Sequence, residues 1–147
     1  MSRSYIGSTL SVHVGTPASE TETLYEGLSP WTEVGKVVSI GEIGDTSEDI
    51  TFDLLKTGRR SRVSGVKDLG EIPISVEFPA SDAGLTLIET HNNSNTTLSF
   101  RVSDADGEDV YFQALAANLR DMERTAGQYK GKSFVLRGQT GTTSGTT

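Results

Sequence analysis

The sequence predicts a mainly β domain with one flanking helix. Apolar residues recur at every second position in several short runs: Leu10, Val12 and Val14; Ile50, Phe52 and Leu54; Ile72, Ile74, Val76 and Phe78; Leu98, Phe100 and Val102. That period of two is the mark of strands with one face turned to a core. Turn-forming residues separate the runs, with glycines at 41 and 44 beside Asp45, and Asp104-Ala-Asp106-Gly107 further on. A helix-start signal stands in one place, Pro79-Ala-Ser81-Asp82. Ser81 can accept a bond from an orphan backbone N–H, and Asp82 complements the positive end of the helix dipole.

Taken in order, residues 1–8 form a polar, flexible N-terminal arm, and Leu10–Val14 a first strand. Residues 15–30, rich in Thr, Ser, Glu and Pro, read as a loop. Trp31–Ile40 reads as one strand in which Val34, Val38 and Ile40 share a parity. The strand around Ile50–Leu54 leads into a long loop over 56–70, punctuated by glycines. The next strand, 71–78, is strictly amphipathic: Glu71, Pro73, Ser75 and Glu77 oppose the four apolar residues named above. Leu85, Leu87 and Ile88 give the helix, at about 81–91, its buried stripe. After a turn at 92–96, a strand through Leu98–Val102 enters a hairpin whose Gly107 supplies a positive φ, and the return strand begins at Val110. In 113–125 a strong helix propensity opposes the pairing logic of the hairpin; strand is expected to about Leu119. Ser133–Arg137 closes the domain of residues 9–138, and the Gly/Thr/Ser tail 139–147 is expected to be disordered.

The 147 residues, 34% of them hydrophobic and 16 of them glycine, suffice for one core. Absence of cysteine excludes disulfides and thiolate metal sites, and fits synthesis in a reducing cytoplasm. No apolar run reaches the length of a membrane span or a signal-peptide core. A net charge of −7 disfavours binding to nucleic acid through phosphates, although an acidic wall suits a passage along which DNA slides without sticking. The charge is segregated, with nine acids and one base between Glu20 and Asp53, then five bases and no acid between Lys56 and Lys67. Such blocks are either a solvated accident or a device that sets register between stacked copies.

Little in the chain looks catalytic. Ala126-Gly-Gln-Tyr-Lys-Gly131-Lys132-Ser133 fits a relaxed phosphate-loop spelling, but a short strand follows where the chemistry needs a helix N-terminus. Asp104 to Asp109 resembles the start of a calcium loop, yet its twelfth position is Leu115 where a bidentate Glu is required. His13 and His91 lie far apart and have no sequence partners for a metal site or a triad. Trp31, at the head of a strand, reads as a core or interface plug. No catalytic residue, metal ligand or cofactor is expected.

Trp31-Thr-Glu-Val-Gly35, the block Lys67-Asp-Leu-Gly-Glu-Ile72, the capped helix after Phe78-Pro79 and the closing hairpin together resemble the major tail tube proteins of long-tailed, lambda-like bacteriophages. The resemblance covers roughly residues 30–138. It implies a tail-tube-type β-sandwich or barrel with one flanking helix, forming hexameric rings that stack into a tube through which DNA passes. It also implies a virion protein of the phage tail, made in the host bacterial cytoplasm. Its partners would be itself, with tape measure, tail terminator and distal tail proteins. In that frame loop 56–70 reaches a neighbouring subunit or ring, offering Lys56, Arg59, Arg60, Arg62 and Lys67. The acids Glu42, Asp45, Glu48, Asp49, Glu71 and Glu77 are the candidates for their partners or for the lumen wall. The competing expectations are a β-sandwich binding module, for carbohydrate or virion decoration, and a tube component of a related contractile or secretion system. A binding module should show clustered exposed aromatics; aromatics are 7% of residues and fall mostly on inward parities.

Overall fold

The computed structural model describes residues 6–28, 30–35, 37–77, 83–127 and 129–146. Its main sheet is built from β1 (Thr9–Val14), β2 (Thr32–Val34), β3 (Val37–Ile40), β6 (Glu71–Glu77), β7 (Leu98–Ser103), β8 (Glu108–Asp121) and β9 (Gly131–Gly138). The hydrogen-bonded order is β2-β1-β7-β8-β9-β6-β3, and every pairing is antiparallel. β2 and β3 stand at opposite ends of that order, yet Val34 and Val37 are three residues apart. Three residues of extended chain span at most about 11 Å, so the sheet is rolled until its edges lie side by side. One cluster accordingly gathers Leu10, Val34, Ile74, Phe100, Phe112 and Phe134, from both ends of the sheet and its middle.

Two of the four alternating runs behave as their periodicity requires, whereas Val14 and the whole run Ile50, Phe52 and Leu54 are exposed. Ile72, Ile74 and Val76 are buried and Glu71, Pro73 and Glu77 are exposed, while Leu98, Phe100 and Val102 face the core. Phe78 and the helix-start residues Ser81 and Asp82 lie outside the described residues, as do Met1–Tyr5 of the N-terminal arm. The helix itself, α2 (Ala83–Thr90), carries Leu85 and Ile88 into the core and packs on β1 and β2. Gly84 makes that contact possible: a Cβ there would lie 2.5 Å from the Glu33 carbonyl oxygen and 2.7 Å from the Val34 Cα. Gly84→Ala, which must push α2 off backbone atoms, is expected to lower stability by about 1–3 kcal/mol, read as a lower midpoint in thermal or urea unfolding.

Four expectations need correction. Trp31–Ile40 is two strands, because the chain leaves one edge of the rolled sheet after Val34 and joins the other at Val37. A register shift between Val37 and Ser39 then turns Val38 outward, against its parity. The loop 15–30 contains a short helix, α1 (Glu22–Glu26), N-capped by the Thr21 side chain. The tail expected to be disordered over 139–147 forms β10 (Thr143–Thr146), which pairs with the first residues of β8. It is held in addition by a hydrogen bond from the Thr143 hydroxyl to the Glu20 carbonyl. Finally, most of the long loop 56–70 is a strand, β5 (Arg59–Asp68), paired with β4 (Thr46–Leu54) as a separate two-stranded sheet.

The helix-prone stretch 113–125 is strand as far as Asp121. Pairing on both sides overrides propensity here, with β7 taking residues 109–114 and β9 residues 114–121. The register breaks between Ala117 and Arg120, where Asn118 adopts φ 56°. The turn after α2 compensates for the break. Asn93 Oδ1 accepts the Asn118 N–H at 3.1 Å, and Asn92 Oδ1 accepts that of Leu119 at 3.1 Å. Asn92 and Asn93, which read in sequence only as turn residues, therefore hold the bulge in place.

Candidate assembly surfaces

The β4–β5 hairpin leaves the body between β3 and β6, and among the described residues its strands pair only with each other. Nine residues of strand carry β4 about 30 Å. The register places Ile50 opposite Val63, Phe52 opposite Ser61 and Leu54 opposite Arg59. Cross-strand partners share a face, so one side of the hairpin presents Ile50, Phe52, Leu54 and Val63. The other side presents Asp49, Thr51, Asp53, Arg60, Arg62 and Ser64. Ten large hydrophobics are exposed among the described residues, and six of them lie here: Ile50, Phe52, Leu54, Leu55, Val63 and Val66. Scattered apolar residues are ordinary, whereas a concentrated set on a projecting ribbon marks a surface that another molecule covers. The alternation at Ile50, Phe52 and Leu54 looked in sequence like any half-buried strand. Among the described residues, nothing buries its apolar half.

The cations expected in a loop fall on this ribbon. Lys56 sits in its exposed turn, and Arg59, Arg60, Arg62 and Lys67 are spaced along β5. Arg60 pairs with Asp53 across the hairpin at 3.1 Å, so part of the opposed charge is matched within one molecule. Both side chains are well exposed, which makes that bridge worth little to stability. Of the acids, Glu42 and Asp45 are exposed in the connector from β3 to β4; Asp49 is exposed on β4, the strand that also carries Glu48. Glu71 and Glu77 are exposed at the two ends of β6, Glu71 lying 3.5 Å from Arg137. The structure thus brings Asp53 and Arg60 together, and Glu71 and Arg137, while the remaining site candidates are spread over the hairpin and the outer sheet face.

The spellings that mimic catalytic motifs resolve into ordinary structure. Residues 131–138 are β9, so Gly131-Lys132-Ser133 enters a strand, and Lys132 is bonded to Glu89 at 3.3 Å. Asp104, Asp106 and Glu108 bring carboxylate oxygens within 4.8 Å of one another in the β7–β8 turn, where Asp104 accepts the Ser8 hydroxyl at 2.8 Å. His91 ends α2 with Nδ1 3.1 Å from the Leu87 carbonyl, and His13 Nδ1 is 2.9 Å from that of Pro30. Among the described residues, no helix is long and apolar enough to cross a membrane.

No family model and no curated protein matches the sequence. Solved structures do match the fold. A chain from the tail of an empty GTA particle, a structure with C6 symmetry, has a TM-score of 0.67 at 11% identity, over 99% of each chain. A chain from the baseplate of the anti-feeding prophage has 0.63 at 9%, over 99% of this chain and 98% of that one. A chain from the sheath/tube terminator of an extracellular contractile injection system, PVC, has 0.61 at 10%, over 94% and 92%. The fold is of the tail-tube type.

On this tail-tube fold, sequence reasoning missed a cluster outside the rolled sheet. The strap carrying α1, Pro30 and Trp31 lies on the outer face of β1, β7 and β8, where buried Tyr25 stacks on buried Tyr111 with centroids 5.1 Å apart. Trp31, half-buried, lies 6.1 Å from the Tyr111 ring and under the Arg101 guanidinium at 5.1 Å. Trp31 is therefore a plug between strap and sheet. The signal for this layer was the outward parity of Asp109 and Tyr111 on β8, both of which are buried. Burial pushes the Tyr111 hydroxyl above its usual pKa, with Asp109 and Glu26 adding to it. On α1, desolvation and then the nearby Glu22 raise the Glu26 carboxyl above the usual carboxylate range, and Asp109 contributes last. A carboxyl whose folded pKa is raised binds its proton more tightly when folded, so stability falls as pH rises through that range. Glu26→Gln is accordingly expected to melt slightly higher than the parent at neutral pH. The difference should vanish in acid, where the parent is protonated; melts across pH 3–8 check this.

Proposed function

We propose that this chain is a structural subunit that polymerises, as stacked hexameric rings, into the tube of a phage-like tail. The observation that carries the reading is the hairpin: a paired, apolar ribbon whose apolar face stays exposed among the described residues. The fold of the tail and injection-machine chains, one from a structure of C6 symmetry, supports it. Copies complete one another through the hairpin and through open sheet edges that would otherwise pair without control. Lys56, Arg59, Arg62 and Lys67 meet acids of neighbouring copies, among them Glu42, Asp45, Glu48 and Asp49. Glu71 and Glu77, on the outer face of β6, contribute to a lumen wall that denies passing DNA a cationic anchor. Tape measure, tail terminator and distal tail proteins are its further partners in the assembled virion. No step in this role is enzymatic.

The likeness to chains of an extracellular contractile injection system favours a second reading, a tube or terminator component of a contractile system. Both readings share self-assembly. Negative-stain microscopy of purified protein at rising concentration tests them: rings or hollow rods are expected, and a monodisperse monomer under every condition overturns both. Hydrogen exchange adds a second measure, with residues 46–68 expected to exchange fast in the monomer and slowly in the polymer.

A further inference from the structure

The body of the molecule carries a second apolar surface, at the seam where the rolled sheet meets itself. β2 has only three residues and fills only part of that seam. β3 is hydrogen-bonded to β6 on one side, and among the described residues no strand pairs with its other edge. Against that open edge lies a cleft of about 750 Å³, walled by Val37, Ile40, Ile43, Val102 and Val110, with the outturned Val38 at its lip. Its rim is acidic. Glu42 and Asp104 line it, and the carboxylates of Asp106 and Glu108 cluster with that of Asp104.

The hairpin is complementary to this cleft in both respects. Its apolar face ends at Leu54, directly opposite Arg59, and Lys56 follows in the turn. An apolar blade tipped with cations thus matches an apolar trough rimmed with acids, the arrangement of an interface with a dry centre and a charged edge. The hairpin does not occupy the cleft of its own chain, since Ile50, Phe52 and Leu54 are all exposed. Donor and acceptor are also different surfaces, so their union is head-to-tail. Head-to-tail contacts generate closed rings or continuing filaments, whereas a self-matching patch stops at a dimer.

We propose that the cleft beside β3 is the acceptor for the hairpin of a second copy, with Arg59 and Lys56 set against Glu42 and the Asp104–Glu108 turn. The proposal rests on the self-assembly reading above and adds to it the docking partner of the hairpin. The lack of cysteine permits a clean test. Leu54→Cys and Val38→Cys are made as separate proteins, mixed under assembly conditions and treated with a short bismaleimide. A covalent dimer is expected in the mixture and in neither protein alone. In parallel, Arg59→Glu and Glu42→Arg are each expected to raise the concentration needed for assembly about tenfold or more, and the double variant to restore it. All four sites are exposed, and circular dichroism confirms that each variant is folded. Tubes that form without the cross-link, or a double variant no better than the singles, place the acceptor elsewhere and leave self-assembly standing. Parent protein that never assembles and never cross-links removes both. A cleft that instead binds a small apolar probe, with no effect on assembly, overturns the docking proposal alone.

Discussion

Phe52→Asp is expected to abolish polymerisation and leave the folded monomer nearly untouched. Phe52 is half-exposed, at 45%, on a ribbon whose strands pair only with each other among the described residues, so its side chain contributes little to the fold of its own chain. Exposed substitutions of this kind change stability by about 0.5 kcal/mol or less, a melting shift of about 2 °C or less for a chain of this size. In a polymer the same residue would be covered, and a carboxylate would be buried without a partner. Loss of apolar burial and the cost of desolvating that charge together come to about 3 kcal/mol or more per contact, over a hundredfold in affinity. Sedimentation velocity at matched concentrations reads the result: rods or rings for the parent, a single monomer peak for the variant. An assembling Phe52→Asp protein would remove the hairpin from the interface.

Phe100→Ala is expected to do the reverse, weakening the fold itself rather than the contact between copies. Phe100 is fully buried and stacks on Phe112 with ring centroids 5.6 Å apart. It sits at the middle of β7, paired to β1 on one side and to β8 on the other. Truncation leaves a cavity that strands tied on both sides cannot collapse to fill. The expected cost is about 3–5 kcal/mol, a fall in melting temperature of about 10–15 °C, measured by calorimetry on the monomer. The two phenylalanines both lie on strands of alternating pattern, and only their surroundings tell them apart.

That contrast marks how much of the molecule was legible. Periodicity identified the faces of β1, β6 and β7, and the apolar stripe of α2 was placed to within a residue or two. The short strand-like run Ser133–Arg137, with Gly138 close behind it, was enough to dispose of the phosphate-loop spelling. The alternation of Ile50, Phe52 and Leu54 was equally legible, but period alone states that a face is apolar and not what lies against it. The strap was illegible for a related reason. Tyr25 stands alone in a polar stretch, and its partner Tyr111 is 86 residues away across the sheet. Residues 113–119 were resolved for strand by hairpin logic, against their own propensity. The bulge at Asn118 that makes the strand workable depends on the side-chain amides of Asn93 and Asn92, 25 and 27 residues before the groups they bond.

By itself, the sequence determined most of the alternating strands, which faces are apolar and where the charge changes sign, because those follow from side-chain spacing and local backbone chemistry. Only the tertiary structure decided that the sheet rolls until β2 and β3 are neighbours, and that 59–68 is a strand. It also decided that one apolar face has no cover among the described residues. These are matters of which distant segments meet, and a pattern read along a single chain does not carry its own partners.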